Sequence, residues 1–290
     1  MGVIKYLPNK LGLKRSSDLT GVEVVRLYHA ASFSMWRDGP AGIFNTHITI
    51  LWNTLGIHDH QLATKLLGRY LNRAVKWAAV GSPETPRRRR RARTGDGFTF
   101  RYIFVNENGA ARQFHSHILC SVPRPLVPVF AAWTRSILRR LAKHYGDEHT
   151  VKVIASQERD ERGAVTRCWS WVQYICKQLD PQAGNWTPVD RLTGAFLPGG
   201  ARPLREILRV KPHRTALPVT SLKLTGASRD LSSAAQRAAG FQPPLRYGDP
   251  QHIIDGRLFD GQELEIWRAA EREKQAAAAR DKWLHTLAID

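Results

Sequence analysis

Alternation of apolar and polar residues marks several short segments of the chain, and the longer segments between them show helical spacing. Because the side chains of a strand point to opposite faces in turn, the alternation predicts strands at residues 44–52, 99–107, 113–123 and 151–155. Apolar residues three and four positions apart predict helices at residues 62–80, 125–145 and 169–179. The order of these elements predicts an α+β fold, with an antiparallel sheet of about five strands and helices packed on it.

Residues that favour turns and loops divide the chain into three regions. Residues 1–40 form an N-terminal lead-in with one short predicted helix at 22–31, and residues 41–180 hold the predicted sheet. Beyond residue 180 the composition shifts to proline, glycine and arginine. This shift predicts a mostly irregular C-terminal region, residues 181–290, with a closing helix at 261–287.

Two histidines one residue apart, His115 and His117, share one face of the predicted strand 113–123. Residues 106–109 (Asn-Glu-Asn-Gly) predict a hairpin turn that folds the preceding strand back beside them, within reach of the Glu107 carboxylate. Two imidazoles and one carboxylate suit a divalent ion such as Mn²⁺ or Mg²⁺, and three ligands leave positions open for substrate oxygens. By itself, however, a His-x-His in a strand is more often a pair of structural histidines.

Three further histidines lie near these motifs in the sequence. His47 shares a strand face with Asn45 and Thr49 and could approach the active-site side of the sheet, but it ranks below His115 and His117 because a lone strand histidine is usually structural. His58 and His60 repeat the His-x-His spacing, but they lie in a predicted loop or helix start, where that spacing does not place both on one face. We therefore assign none of the three to the metal site.

A tyrosine and a lysine, Tyr174 and Lys177, lie three residues apart in the predicted helix 169–179, so they are neighbours on its surface. An apolar stripe on another side of the same helix predicts that it packs on the sheet. A tyrosine beside a lysine, downstream of a His-x-His strand, is a suitable nucleophile for a metal-assisted reaction.

Taken together, these motifs resemble those of the HUH endonucleases (His, hydrophobic residue, His), in particular the single-tyrosine initiators of rolling-circle replication in plasmids and small phages. The motifs occur in the family's order, as FNTHITI at residues 44–50, FHSHIL at 114–119 and YICK at 174–177. The resemblance covers about residues 40–180. One departure is Ser116, which stands where the family usually has a hydrophobic residue. Because this position faces away from the two histidines, we expect the departure to affect packing more than chemistry.

The resemblance implies site-specific nicking and joining of single-stranded DNA through a covalent 5′-phosphotyrosine intermediate. In that case Tyr174 is the nucleophile with Lys177 beside it, and Glu107, His115 and His117 hold Mg²⁺ or Mn²⁺. The expected partner is single-stranded or hairpin DNA, and a host helicase is a further possible partner.

Three alternatives share part of this pattern. A transposase of the same superfamily has all three motifs but tends to be shorter, and a conjugative relaxase usually carries a richer histidine triad. The third alternative is a basic DNA-binding module in which the histidines and the tyrosine are structural.

The charge balance of the chain favours a polyanionic partner. Its 290 residues include 44 Lys and Arg against 25 Asp and Glu, a formal net charge of +19, and an excess of this size is typical of nucleic-acid binding. Part of the excess lies in a predicted flexible loop, residues 82–97, as a run of arginines: Arg87, Arg88, Arg89, Arg90, Arg91 and Arg93. We expect these arginines to contact DNA phosphates, although such a run can also be a solvated segment.

Several other classes of function are not indicated. The chain has no Gly-x-x-x-x-Gly-Lys-Ser/Thr motif, so we expect no nucleotide cofactor. It has no apolar run near the roughly 20 residues that a membrane span needs, and no signal peptide is apparent. Three cysteines without metal-binding spacing predict reduced thiols. We therefore expect a cytoplasmic protein without a membrane partner.

Overall fold

The computed structural model describes residues 14–16, 18–79, 97–109, 113–143, 150–180, 183–188, 202–211, 219–221 and 223–247. The arginine run at 87–93 and the predicted closing helix at 261–287 lie outside the described residues.

The described residues form ten strands and six helices. The strands are β1 (Lys14–Ser16), β2 (Thr46–Leu51), β3 (Tyr102–Gly109), β4 (Gln113–Cys120), β5 (Val151–Ala155), β6 (Asn185–Pro188), β7 (Arg202–Pro203), β8 (Val219–Ser221), β9 (Thr225–Ala227) and β10 (Leu245–Tyr247). The helices are α1 (Gly21–Asp38), α2 (His60–Ala79), α3 (Val127–Ala142), α4 (Glu161–Ile175), α5 (Leu204–Ile207) and α6 (Ser233–Ala238). In the described part of the chain, every helix is too short or too polar to cross a membrane.

The main sheet has five strands in the order β5-β2-β4-β3-β9, and every neighbouring pair is antiparallel. This confirms the predicted α+β fold class. Its edge strand β9 comes from beyond residue 180, so part of the sheet is supplied by the region that was predicted to be a mostly irregular C-terminal extension. Two smaller sheets pair β1 with β8 and place β6 between β10 and β7.

Helices pack on both faces of the main sheet. On one face, α2 and α3 pack against each other, with Tyr70 Oη 3.1 Å from Thr134 Oγ1 and the Trp77 ring 5.3 Å from that of Phe130. On the other face, α4 brings the ring of Tyr174 to 5.2 Å from that of His117. Helix α1 packs beside α4, where the rings of Tyr28 and Trp169 are 4.8 Å apart.

Some predicted element boundaries were wrong. Helix α1 begins at Gly21 and extends to Asp38, well past the predicted end at residue 31. Helix α4 begins at Glu161, well before the predicted start at residue 169, and Asp160 is its N-cap, whose carboxylate accepts a hydrogen bond from the backbone N–H of Gly163. At its other end α4 stops at Ile175, four residues before the predicted end.

An ion-pair network ties the C-terminal segment to α1 and to the start of β3. Asp230 Oδ2 lies 3.0 Å from Arg37 Nη2 and 3.0 Å from Arg101 Nε, and Arg101 Nη1 lies 3.3 Å from Asp38 Oδ2. Burial alone would raise the pKa of Asp230, but its hydrogen bonds with Ser228 and Arg37 and the charge of Arg101 together hold this pKa below its ordinary value. These contacts help to hold the segment that carries β9 against the rest of the fold.

Ser116 faces the side of the sheet opposite the histidines and is fully buried. Its hydroxyl donates a hydrogen bond to Asn106 Oδ1 at 2.6 Å and accepts one from Trp52 Nε1 at 2.7 Å. A hydrophobic side chain at this position would remove both hydrogen bonds, so Asn106 Oδ1 and Trp52 Nε1 would each lose a partner inside the core. The serine is therefore part of a polar chain that crosses from β3 to the end of β2.

We predict that Ser116→Ala lowers the free energy of unfolding by about 1–3 kcal/mol, because Trp52 Nε1 and Asn106 Oδ1 lose a buried partner. Denaturant unfolding of the two proteins measures the difference. The matched control is Ser170→Ala on the exposed surface of α4, where the hydroxyl only bonds to the carbonyl of Thr166 and a change within about 0.5 kcal/mol is expected. Equal losses in the two variants would contradict a special role for Ser116.

Candidate metal centre

The register of β3 against β4 brings the three predicted ligands together. Glu107 lies directly opposite His115, and His117 occupies the next position on the same face of β4. Glu107 Oε1 lies 2.5 Å from His115 Nε2 and 3.6 Å from His117 Nε2, and the three side chains are at most 3% exposed. Within the described residues, this is the one group of three or more histidine, cysteine or acidic side chains that could hold a metal ion.

Glu107 reaches this position from the middle of a strand and not from a turn, so the predicted hairpin turn at residues 106–109 was wrong. β3 continues to Gly109 because Asn106 is held in the sheet by the segment just before β9. The Asn106 backbone N–H donates to the carbonyl of Leu224 at 2.7 Å, and its side-chain amide donates to that of Lys223 at 2.9 Å. These long-range bonds outweigh the turn preference of the local sequence.

The first histidine is oriented by the backbone of its own strand. His115 Nδ1 lies 2.7 Å from the carbonyl oxygen of Gln113, which can only accept a hydrogen bond, so Nδ1 carries the proton. Gln113 has a left-handed backbone conformation (φ 53°), which is uncommon for a residue other than glycine. The other ring nitrogen of His115, Nε2, then faces Glu107.

The second histidine is oriented by β2. Thr49 lies opposite His117 in the register, and both Thr49 Oγ1 and His47 Nε2 lie 3.1 Å from His117 Nδ1. A proton on Nδ1 that is donated to either partner leaves Nε2 of His117 free to act as a ligand.

His47 is thus a residue of the site, although the sequence ranked it below His115 and His117. The signal that could have found it is the shared strand face of His47 and Thr49, combined with the pairing of β2 and β4. Burial lowers the pKa of His47 to about 3, and the nearby charges of His117, Lys177 and Lys152 act in the same direction. His47 is therefore a neutral imidazole at neutral pH.

Tyr174 and Lys177 lie against the cluster formed by Glu107, His115, His117 and His47. The side chain of Tyr174 is 40% exposed, and its ring lies 5.2 Å from the His117 ring and 5.9 Å from the His47 ring. Lys177 lies just beyond the end of α4, and its backbone N–H bonds to the carbonyl of Tyr174. The predicted Tyr-x-x-Lys pair and the predicted ligand triad therefore occupy one place on the sheet.

The ammonium group of Lys177 contacts three side chains at this site. Its Nζ lies 2.7 Å from Glu107 Oε1, 3.4 Å from His117 Nε2 and 4.1 Å from the centroid of the Tyr174 ring. The lysine side chain is only 10% exposed.

The electrostatics favour an ionised Glu107 carboxylate beside a neutral His117. Burial alone would raise the pKa of Glu107, but its contacts with His115 and His117 outweigh burial and hold this pKa well below its ordinary range. Burial lowers the pKa of His117 to about 4, although the Glu107 carboxylate acts in the opposite direction.

This donor set fits a divalent cation. Among the described residues, Glu107 Oε2 and His115 Nε2 are buried and find no hydrogen-bond partner, although His115 Nε2 lies close to Glu107 Oε1. A ring nitrogen and a carboxylate oxygen that face each other at 2.5 Å require a proton or a cation between them. Imidazole nitrogen together with carboxylate oxygen is a ligand combination that first-row divalent metals accept.

The second His-x-His pair lies outside the cluster. The ring of His60 stacks on Phe114, with 4.2 Å between the ring centroids, and Phe114 points to the opposite face of β4 from His115. His58 is exposed in the segment before α2. Neither residue is among the metal-ligand group.

Fold and site together define an α+β protein with a buried glutamate and two histidines that could hold a metal ion. Comparisons of the chain with family models, with curated proteins and with solved structures found no match.

Proposed function

We propose that this protein is a metal-dependent endonuclease and strand transferase that nicks and rejoins single-stranded DNA, with Tyr174 as its nucleophile. The observation that carries the proposal is the convergence of Tyr174 and Lys177 on the Glu107, His115 and His117 group. The order of the three sequence motifs, which resembles that of HUH endonucleases, supports it. Initiation of rolling-circle replication in a plasmid or phage is the biological role that this chemistry fits best.

The metal would be Mg²⁺ or Mn²⁺, held by Glu107, His115 and His117. A bound divalent cation supplies positive charge that offsets the charge gathering on the non-bridging oxygens of the scissile phosphate. His47 and Thr49 orient His117 for this task through its Nδ1.

Tyr174 is a suitable nucleophile because its side chain is partly exposed beside the buried ligands. A neutral phenol is a weak nucleophile, and a nearby positive charge stabilises the negative charge that its oxygen carries during attack. The ammonium of Lys177, 4.1 Å from the ring centroid, supplies such a charge.

In the reaction, a bond forms between the tyrosine oxygen and phosphorus while the bond from phosphorus to the 3′ oxygen breaks. Tyr174 loses its proton, and the leaving 3′ oxygen gains one, which leaves a 5′-phosphotyrosine and a free 3′-hydroxyl. Attack by a 3′-hydroxyl on the phosphotyrosine reverses the step and joins strands. Because the bond energy is kept in the phosphotyrosine, no nucleotide cofactor is needed.

Incubation of the full chain with a pool of 3′-labelled single-stranded oligonucleotides and Mn²⁺ tests the proposal. We expect label that migrates with the protein on a denaturing gel and is released by protease, because the 3′ portion of the cut strand stays attached to the tyrosine. Omission of the metal is the control and should abolish the adduct.

The alternative is a basic DNA-binding module without catalytic activity, and the net charge of +19 is the observation that favours it. Retention of the oligonucleotides on a native gel, with no adduct on the denaturing gel, would support this alternative and contradict the nuclease. A transposase of the same superfamily shares the nicking chemistry, and an origin hairpin beside the coding region would separate replication from transposition.

The arginine run at residues 87–93 is expected to contact phosphates and not bases. Replacing its six arginines with glutamine should weaken binding to all single strands alike. The plot of log K against log salt has a negative slope, and this slope should become shallower by about 0.7 for each phosphate that is no longer neutralised. Fluorescence anisotropy across a salt series measures both effects.

A control replaces three arginines of α3, Arg135, Arg139 and Arg140, which lie on the sheet face opposite the metal cluster. If net charge alone explains the weaker binding, the loss for each arginine replaced should be the same in both variants. A changed sequence preference at an unchanged salt slope would contradict the prediction.

A further inference from the structure

We propose that the ammonium group of Lys177 and the metal ion are alternative occupants of the pocket formed by Glu107 and His117, so that metal binding displaces Lys177. This inference rests on the metal site of the proposed function. It assigns Lys177 a second role beside its action on Tyr174, as the cation that fills the metal-free pocket.

The contacts of Lys177 carry the proposal. Its Nζ lies 2.7 Å from Glu107 Oε1 and 3.4 Å from His117 Nε2, and these are two of the atoms that a metal held by the triad would need. An ammonium group has three hydrogens to donate and binds as a compact positive charge. It therefore satisfies an anionic pocket in much the way that a metal cation does.

Burial makes the two occupants exclusive. The side chains of Glu107 and Lys177 are 3% and 10% exposed, so little water is available to screen one positive charge from another. A divalent ion bound by Glu107 would repel an ammonium group that shares the same carboxylate oxygen. Loss of the lysine from the metal-free protein would, in turn, leave the buried carboxylate without its cationic partner.

Displacement would leave Lys177 close to the nucleophile. Its Nζ already lies 4.1 Å from the centroid of the Tyr174 ring, and Tyr174 is the partly exposed member of the cluster. Metal binding would thus break the contact between Lys177 and Glu107. Of the residues that Lys177 contacts in the metal-free protein, Tyr174 would then be its nearest partner. This arrangement would link occupancy of the metal site to the state of the nucleophile.

The first test compares the Mn²⁺ affinity of the full-length wild-type protein with that of the Lys177→Met variant by calorimetry. We expect the variant to bind Mn²⁺ at least about tenfold more tightly, because the metal no longer has to break a charged hydrogen bond. The control is Lys152→Met, since Lys152 is an exposed lysine paired with Thr49 in the sheet register. Its affinity should stay within about twofold of wild type, because exposed charges are screened. Equal or weaker binding by Lys177→Met would overturn the proposal.

The second test uses only the wild-type protein and so does not depend on the folding of a variant. Lysines are acylated with and without saturating Mn²⁺, and peptide mass spectrometry compares modification of Lys177 with that of exposed Lys152. We expect metal to increase the modification of Lys177 several-fold relative to Lys152, because the displaced ammonium group gains access to solvent. An unchanged ratio would contradict displacement.

The outcomes separate this inference from the proposed function. If neither the wild type nor Lys177→Met binds Mn²⁺, the metal centre itself is wrong and both proposals fail at that point. If the wild type binds Mn²⁺ but the variant binds no more tightly, only the exchange of Lys177 for metal is wrong. Binding by the variant alone would support the exchange and indicate that Lys177 blocks the site.

Discussion

In a Tyr174→Phe variant we expect the covalent protein–DNA adduct to fall by more than about 10⁴-fold, because only the attacking hydroxyl is removed. Binding of single-stranded DNA should stay nearly unchanged, since the ring still packs beside His117 and His47. The denaturing-gel assay measures the adduct, and anisotropy measures binding. A loss of adduct without a loss of binding is the result that identifies a nucleophile.

The matched control is Tyr102→Phe. Tyr102 lies opposite Cys120 in the register, on the sheet face away from His117, so this variant should form adduct at the wild-type level. Undiminished adduct in Tyr174→Phe would remove Tyr174 as the nucleophile. In that case Tyr145 and Tyr247 are the tyrosines to test next, since the control variant already tests Tyr102.

The second large effect is expected at the ligands. His115→Ala or His117→Ala should eliminate metal-dependent nicking and lower Mn²⁺ affinity by at least about 100-fold, because one imidazole alone is a weak ligand for this ion. Calorimetry measures the affinity, and nicking across a Mn²⁺ titration shows whether excess metal restores activity.

The control for the ligand variants is the second pair with the same spacing. A double replacement of His58 and His60 with alanine should leave Mn²⁺ affinity unchanged, since neither residue belongs to the cluster. Unchanged affinity in His117→Ala would contradict the metal centre. Loss of affinity in the control pair would show that Mn²⁺ binds at a different place.

For Glu107, the sequence and the structure predict different effects of replacement. A carboxylate arriving from a hairpin turn is expected to tune the charge and metal preference of a site, so Glu107→Ala would weaken nicking and not abolish it. In the structure, however, Oε1 of Glu107 contacts His115, His117 and Lys177. We therefore expect Glu107→Ala to be as damaging as loss of either histidine, in the same nicking and affinity assays.

The ligand triad could be predicted from sequence because its geometry is local. Side chains alternate along a strand, so His115 and His117 must share a face wherever that strand lies. Glu107 was within reach because two strands that are close in sequence pair as a hairpin, and the observed pairing places it opposite His115. For the same reason Tyr174 and Lys177 were predicted as neighbours, although the helix ends between them at Ile175.

Long-range contacts explain what was missed. The sequence 106–109 has the composition of a turn, but bonds from Asn106 to Lys223 and Leu224 keep it in the strand. His47 belongs to the site only because β2 pairs with β4, and that pairing joins residues about 70 positions apart. No local pattern around either residue reports those partners.

The amino-acid sequence by itself determined the fold class, the two histidines on one strand face and the strong positive charge, because periodicity and composition act within a few residues. Only the tertiary structure decided that β9 completes the sheet, that His47 and Thr49 orient His117, and that Lys177 fills the carboxylate pocket. These features depend on which distant segments pack together, and packing is set by burial and hydrogen bonding over the whole chain.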